Sequence, residues 1–362
     1  MVAPSYPPDR RVQTCLSQIL VRRIMRLRRS SVSGPGLQRV RRGKGFSYYD
    51  ADGELLTDDE TVQRIKDLVI PPAWRKVWIS PHPGGHIQAV GTDVAGRRQY
   101  LYHAKWQEER SEEKFDRVLQ MSSGLPAWRA RIAEDLRGRG LGRDRVLALA
   151  LHLLDRGYFR AGSEAYAEEN NSYGIATLLG DHVTVRADSV VFDYPAKSGV
   201  QRNWEIEDPD VVKAVRALRR RSAGDRLLVY QTKAGWVDLH ADDLNTKFKE
   251  QLGEDFSVKD LRTWHGTVLA AAAFVGADPP VNKTVRKRVE AAVMREVADE
   301  LGNTPAVARN SYVDPRVISA YENGTTIAAA ARRAGKQRNE DRAQAILEKA
   351  TATMIRREAK RG

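Results

Sequence analysis

Cysteine occurs once in the 362 residues, at Cys15. One thiol excludes an intramolecular disulfide and any cysteine-built zinc site, and it suits a reducing, intracellular setting. Long apolar runs are missing as well. The longest, such as Val268–Val275, stop far short of the roughly 20 residues that span a bilayer, so no membrane role is expected. Histidine is scarce, with 7 in the chain. His82 and His86 are four apart, but the intervening Pro83-Gly84-Gly85 denies them a helix face and makes them a loop pair rather than metal ligands. A glycine-rich phosphate loop is also lacking, because Lys197-Ser198 has no glycine run before it. No metal, cofactor, ATP or other small-molecule substrate is therefore expected.

What the chain does have is length, apolar content and positive charge. With 362 residues and 41% hydrophobic content it is long enough to bury two domain cores. Its net charge of +13 is unevenly spread: residues 1–49 hold eleven Lys or Arg against Asp9 alone, which leaves about +3 for the rest. Residues 1–39 read as a basic arm, suited to phosphate backbones through counterion release. The same segment, rich in arginine and serine and poor in acids, also has the composition of a transit peptide, with Leu16, Ile19, Leu20, Ile24 and Leu27 at roughly helical spacing.

From Gly45 to His103, short aromatic and apolar runs are broken by Gly, Pro and Asp, the pattern of a small β-rich module over residues 40–104. Strands are expected at Phe46–Tyr49, Val77–Ile79, Ile87–Gly91 and Gln99–Tyr102, with a helix over Asp58–Leu68. The last hairpin sets Arg97, Arg98, Gln99, Tyr100 and Tyr102 around a turn at Ala95-Gly96. A β-ribbon of this kind fits a major groove, where glutamine pairs with adenine and tyrosine hydroxyls reach phosphates. On chemistry alone, the alternating tyrosines read more simply as packing.

Residues 105–362 are mostly helical in pattern, beginning with a charge-laced helix over Ala104–Met121 and an apolar one over Asp144–Leu154. Gly157-Tyr158-Phe159 interrupts the latter, so Arg160 sits at a break, followed by a helix at Glu164–Glu169. Strands are expected at His182–Val185, Val190–Tyr194 and Val200–Ile206, which puts Lys197 on a hairpin turn. Two short strands within residues 226–239 and a helix over Ala241–Leu252 follow. Ser257 caps a helix reaching Phe274, on which Lys259 and Arg262 share a face. A helix over Val281–Leu301 ends at Gly302, immediately before Asn303. Nine residues on, Tyr312 precedes the helix start Asp314-Pro315, and Asp341–Arg361 reads as a terminal amphipathic helix.

Arg160 with Gly162-Ser163-Glu164, Lys197 in Tyr194-Pro195-Ala196-Lys197-Ser198, Arg262 in Leu261-Arg262-Thr263-Trp264-His265-Gly266, and Tyr312 in Asn310-Ser311-Tyr312-Val313-Asp314-Pro315 together resemble the type IB DNA topoisomerases, in their compact poxvirus-like form found also in bacteria. The resemblance covers roughly residues 40–325. It includes the marker run Tyr166–Leu178 and the hairpin Gly91–His103. It implies an α+β fold, with a β-rich N-terminal domain and a larger, mainly α catalytic domain forming a clamp around duplex DNA. It also implies a monomer in the bacterial cytoplasm, associated with the nucleoid.

The activity it implies is ATP- and metal-independent relaxation of supercoils of both signs through a 3′-phosphotyrosyl intermediate. Tyr312 is then the nucleophile, Arg160, Arg262 and Asn303 hold the phosphate, Lys197 is the general acid and Lys259 supports them. Arg97, Gln99, Tyr100, Tyr102 and Tyr166 contact DNA. Family members commonly have histidine where this chain has Asn303, which donates a hydrogen bond but does not titrate. Two other classes share features with the chain: tyrosine recombinases, which usually carry histidine where Lys259 stands, and architectural DNA-binding proteins without catalysis.

Overall fold

The computed structural model describes residues 26–220 and 225–361. Cys15, residues 1–25 of the basic arm and most of the helical spacing read there lie outside the described residues. The chain divides into two compact units between Glu113 and Lys114, and both helix and strand contribute to the fold. Among the described residues no helix is long and apolar enough to cross a membrane.

The first unit is built on a five-stranded antiparallel sheet. Its strands are β1 (Leu37–Arg42), β2 (Gly45–Tyr49), β3 (Arg75–Ile79), β4 (Ile87–Thr92) and β5 (Arg98–Tyr102), in the order β2-β1-β3-β4-β5. Alternation places Leu37, Val77, Ile79 and Ala89 in a core with Ile65 of α1 (Asp59–Asp67). Asp58 caps α1 by accepting a 2.9 Å bond from the Thr61 N–H. Strand β1 was not anticipated, because LQRVRR reads as arm rather than sheet. Arg39, counted among the arm's cations, instead donates to the Ile70, Pro71 and Trp74 carbonyls and lies over the Phe46 ring.

The second unit is mainly helical. Its helices begin with α2 (Ala104–Ser122), which starts in the first unit, then α3 (Leu125–Arg137), α4 (Arg143–Arg156) and α5 (Glu164–Asn170). A three-stranded antiparallel sheet follows, β6 (Val183–Val185), β7 (Val190–Pro195) and β8 (Gln201–Ile206), and then α6 (Pro209–Arg219). The hairpin β9 (Val229–Thr232) and β10 (Gly235–Asp238) leads into α7 (Ala241–Leu252), α8 (Val258–Ala273) and α9 (Lys283–Leu301). Three helices close the unit: α10 (Pro315–Glu322), α11 (Ala328–Ala334) and α12 (Glu340–Glu358).

α8 is nearly encircled by the core, with Leu261, Trp264 and Val268 buried beside Thr263, His265 and Thr267. Such a helix is fixed on all sides, which makes it a rigid mount. A buried ionic cluster secures it from behind. Asp155 of α4 accepts both a 2.7 Å and a 3.0 Å bond from Arg129 and lies 3.0 Å from His265 Nε2, while Arg129 also grips Glu348 of α12 at 2.8 and 2.9 Å. Burial alone would raise the Asp155 carboxyl, but Arg129 and His265 outweigh it and hold it well below the ordinary range.

Candidate active site

Three main-chain devices bring the site residues together. The first is the end of α4. Gly157 terminates it, its N–H bonding the Leu153 carbonyl at 2.9 Å, and Tyr158 then adopts a left-handed φ of 52°, uncommon for a bulky residue. The chain turns sharply and presents Arg160. The segment after α5 locks this turn in place, because the Ile175 and Ala176 N–H groups donate at 2.8 Å to the Arg160 and Ala161 carbonyls. Glycine is required at 174: a Cβ there would lie 2.5 Å from Gly162 Cα and 2.7 Å from the Arg160 oxygen. The marker run thus acts as a backbone brace for Arg160.

The second device is the stop of α9. Gly302 takes a left-handed φ of 60°, its N–H bonds the Asp299 carbonyl at 3.2 Å, and the Asn303 N–H reaches back to Ala298 at 2.8 Å. This paired ending fixes the direction in which Asn303 leaves the helix. Arg160 Nη2 donates to Asn303 Oδ1 and, at 3.1 Å, to the Gly302 carbonyl. With its oxygen taken by a cation, the amide presents Nδ2, which is buried and has no hydrogen-bond partner among the described residues.

The third is the turn Ala308–Tyr312, a single π-helical turn in which the Val313 N–H reaches the Ala308 carbonyl at 3.0 Å. It packs against α8 at Gly266, where an added Cβ would stand 2.9 Å from Tyr312 Cβ. The Thr267 hydroxyl donates to the Tyr312 carbonyl at 3.1 Å and accepts the Asp314 N–H at 3.1 Å. Asp314, the N-cap of α10, bonds Arg316, which in turn bonds Asp116 of α2 at 2.6 Å. The expected corner before α10 is therefore present.

Arg262 sits at the centre. It is only 5% exposed, donates to the Tyr158 and Leu301 carbonyls, and its guanidinium carbon lies 5.4 Å from the Tyr312 ring centroid. Desolvation, then the nearby charge of Arg160, lower its pKa to about 10, which still leaves it a cation at neutral pH. Tyr312 is 6% exposed. Burial alone would raise its phenol, but the charges of Arg262 and Arg160, a hydrogen bond to Arg262 and the charge of Lys259 pull it below its ordinary value. The half-buried Tyr158 and the buried Tyr194 nearby are pushed the other way, to about 12, desolvation being the main cause.

The structure thus brings Arg160, Arg262, Asn303 and Tyr312 together. Lys259 and Arg262 do not share an environment: Lys259 is exposed, whereas Arg262 is buried. Lys197 lies on the expected turn between β7 and β8, at the exposed start of Lys197–Gly199. Tyr166 is in α5, and its side chain lies outside the described residues. On edge strand β5, Tyr100 and Tyr102 are exposed with rings stacked 6.1 Å apart, and Arg98 lies over Tyr100. Gln99 points to the opposite face, its amide donating to Asp93 at 2.9 Å, and Arg97 pairs with Asp93 at 3.1 Å. Strand alternation separates Gln99 from the tyrosines it was grouped with.

Sequence reasoning missed Lys114, Thr267, Gly266 and the Arg129–Asp155–His265–Glu348 cluster. Lys114 Nζ donates to the Ser311 carbonyl at 3.2 Å across nearly two hundred residues of chain. Only the glycine after Trp264-His265 gave a signal, as a helix-interior glycine with no turn to explain it.

Residues 103–344 match the catalytic core model of eukaryotic DNA topoisomerase I, and residues 45–93 match the N-terminal domain model of bacterial DNA topoisomerase IB. The chain is 30% identical over 297 residues to DNA topoisomerase 1B of Acanthamoeba polyphaga mimivirus, covering 80% of this chain and 88% of that protein. It is 22% identical over 293 residues to DNA topoisomerase 1B of vaccinia virus (strain Copenhagen), covering 74% and 87% respectively. A shorter match, 26% identical over 161 residues, joins it to DNA topoisomerase 1 of Schizosaccharomyces pombe, with 44% of this chain and 19% of that protein covered.

Proposed function

The chain belongs to the type IB DNA topoisomerases and is an enzyme that acts on DNA, and from that premise we propose that Tyr312 is its nucleophile, attacking a backbone phosphate and remaining joined to the 3′ side. The observation that carries this reading is the convergence of a buried, pKa-lowered phenol with Arg262, Arg160 and the Asn303 amide nitrogen, which has no partner among the described residues.

In-line attack gathers negative charge on the non-bridging oxygens, so donors already aimed at them lower the barrier without reorganising. Arg262, fixed on α8, and Arg160, braced by the run around Gly174, supply charged donors. Asn303 Nδ2 supplies a neutral one. Lys197 delivers a proton to the departing 5′-oxygen from its turn, and Lys259 adds positive field. The covalent intermediate keeps the bond energy, so religation needs no ATP, and rotation of the cut strand removes supercoils of either sign.

No metal enters this scheme, because guanidinium groups take the charge-stabilising role. Tyr100 and Tyr102, with Arg97, Arg98, Gln99 and Tyr166, contact the duplex, and the two units enclose it as a clamp. The enzyme works as a monomer on bacterial nucleoid DNA.

The test is relaxation of supercoiled plasmid in EDTA without ATP, beside Tyr312→Phe, with detergent trapping of the adduct. Stepwise relaxation and a 3′-linked adduct in wild type alone are expected. An adduct that survives in Tyr312→Phe would overturn the assignment of the nucleophile.

A further inference from the structure

One turn of α2 holds the two elements that carry the reacting groups. Lys114, Asp116 and Arg117 occupy adjacent positions on it. Lys114 Nζ donates to the carbonyl of Ser311, the residue immediately before Tyr312. Asp116 accepts from Arg316, which bonds the Asp314 cap just after Tyr312. Arg117 donates at 3.1 Å to Asp260, whose other carboxylate oxygen accepts the Ser257 N–H and hydroxyl and so caps α8, the mount of Arg262. The π-helical turn bearing Tyr312 is therefore gripped on both sides, and the Arg262 helix is tied to the same short stretch.

We propose that Lys114 is a positioning residue for the nucleophile, its ammonium holding the Ser311 carbonyl so that the Tyr312 phenol stays in line with the phosphate. The proposal rests on Tyr312 being the nucleophile. A π-helical turn is a rare, single-turn departure from the α-helical ladder, and an outside donor on one of its carbonyls ties that turn to α2. Lys114 is half-buried, and its neighbours are the charges of Lys259, Asp314, Asp260 and Arg117. A partly buried, charge-assisted hydrogen bond is worth more than a surface one, and a nucleophile displaced by a fraction of an ångström loses rate steeply.

The experiment measures single-turnover cleavage at saturating enzyme, DNA affinity and thermal melting for wild type, Lys114→Met and Lys114→Arg. Two DNA substrates are used, one with the ordinary 5′-oxygen and one with a bridging 5′-sulfur, which departs without a proton donor. Lys114→Met is expected to cleave about tenfold or more slowly on both substrates, with affinity and melting close to wild type, and Lys114→Arg is expected to recover most of the rate. If Lys114→Met does not melt cooperatively, Lys114→Gln takes its place. A wild-type cleavage rate in the variant overturns the proposal. So does a defect that vanishes with the sulfur leaving group, which would make Lys114 a proton donor, or one confined to affinity, which would make it a phosphate contact. Adduct formation in Tyr312→Phe removes the underlying assignment of the nucleophile and the Lys114 proposal with it.

Discussion

At Tyr312 burial and charge oppose one another, and charge prevails. Titrating the free protein by phenolate absorbance should show one tyrosine ionising below the ordinary value, absent from Tyr312→Phe, while Tyr158 and Tyr194 ionise near 12. A difference spectrum with no low-pH component would contradict the arrangement. Asn303 does not titrate, so the pH–rate profile of cleavage should lack an inflection in the histidine range, and Asn303→His should introduce one below the ordinary histidine value of about 6.5, because burial and the Arg160 cation disfavour the imidazolium. Gly266 is a steric matter. A methyl group in Gly266→Ala would stand 2.9 Å from Tyr312 Cβ and 3.0 Å from its carbonyl oxygen. The expected cost is about 1–3 kcal/mol of stability and a slowed adduct-forming step with DNA affinity retained. Wild-type adduct formation in Gly266→Ala would mean that the π-helical turn tolerates displacement.

Among the elements, helix α8 depends on the ionic cluster behind it. Removing one member leaves buried charge uncompensated, so Arg129→Met should cost about 3–5 kcal/mol in chemical denaturation. The sign with pH follows from the depressed Asp155 carboxyl: its stabilisation is fully present above the ordinary carboxylate value and fades as pH falls through the folded value. Wild type should therefore lose stability in strong acid more steeply than Asp155→Asn, and equal slopes would rule the cluster out as a source of acid sensitivity. Elements were read from the sequence where local signals sufficed. Asp58, Ser257 and Gly302 marked helix ends, and alternation marked β4 and β5. The candidate site residues Arg160, Arg262, Asn303 and Tyr312 were picked out through the short runs that carry the family resemblance, since the local signals beside them mark only helix ends and breaks. β1 was hidden because LQRVRR carries arginines that the sheet turns outward or, at Arg39, spends on loop carbonyls. Lys114 was hidden because a lysine in a charge-laced helix looks solvated, and the carbonyl it reaches lies far away along the chain. That Gln99 faces away from Tyr100 and Tyr102 was hidden because reading by adjacency ignores the two faces of a strand.

For the whole molecule, the charge of +13 makes DNA affinity dependent on salt. Residues 1–25 hold four arginines, Arg10, Arg11, Arg22 and Arg23. If all four lie on phosphates, deleting them should reduce the slope of log affinity against log salt by up to about 3.6, at about 0.9 for each. Titrations across a range of sodium chloride would read this directly, and an unchanged slope would take the arm off the DNA backbone. The backbone contact between Gly162 and Gly174 bears on how the chain tolerates mutation. Because Arg160 is located by peptide groups rather than by neighbouring side chains, substitutions over the surrounding helices leave its address intact, whereas a single methyl group at 174 does not. Robustness to drift and fragility at one atom arise from the same contact.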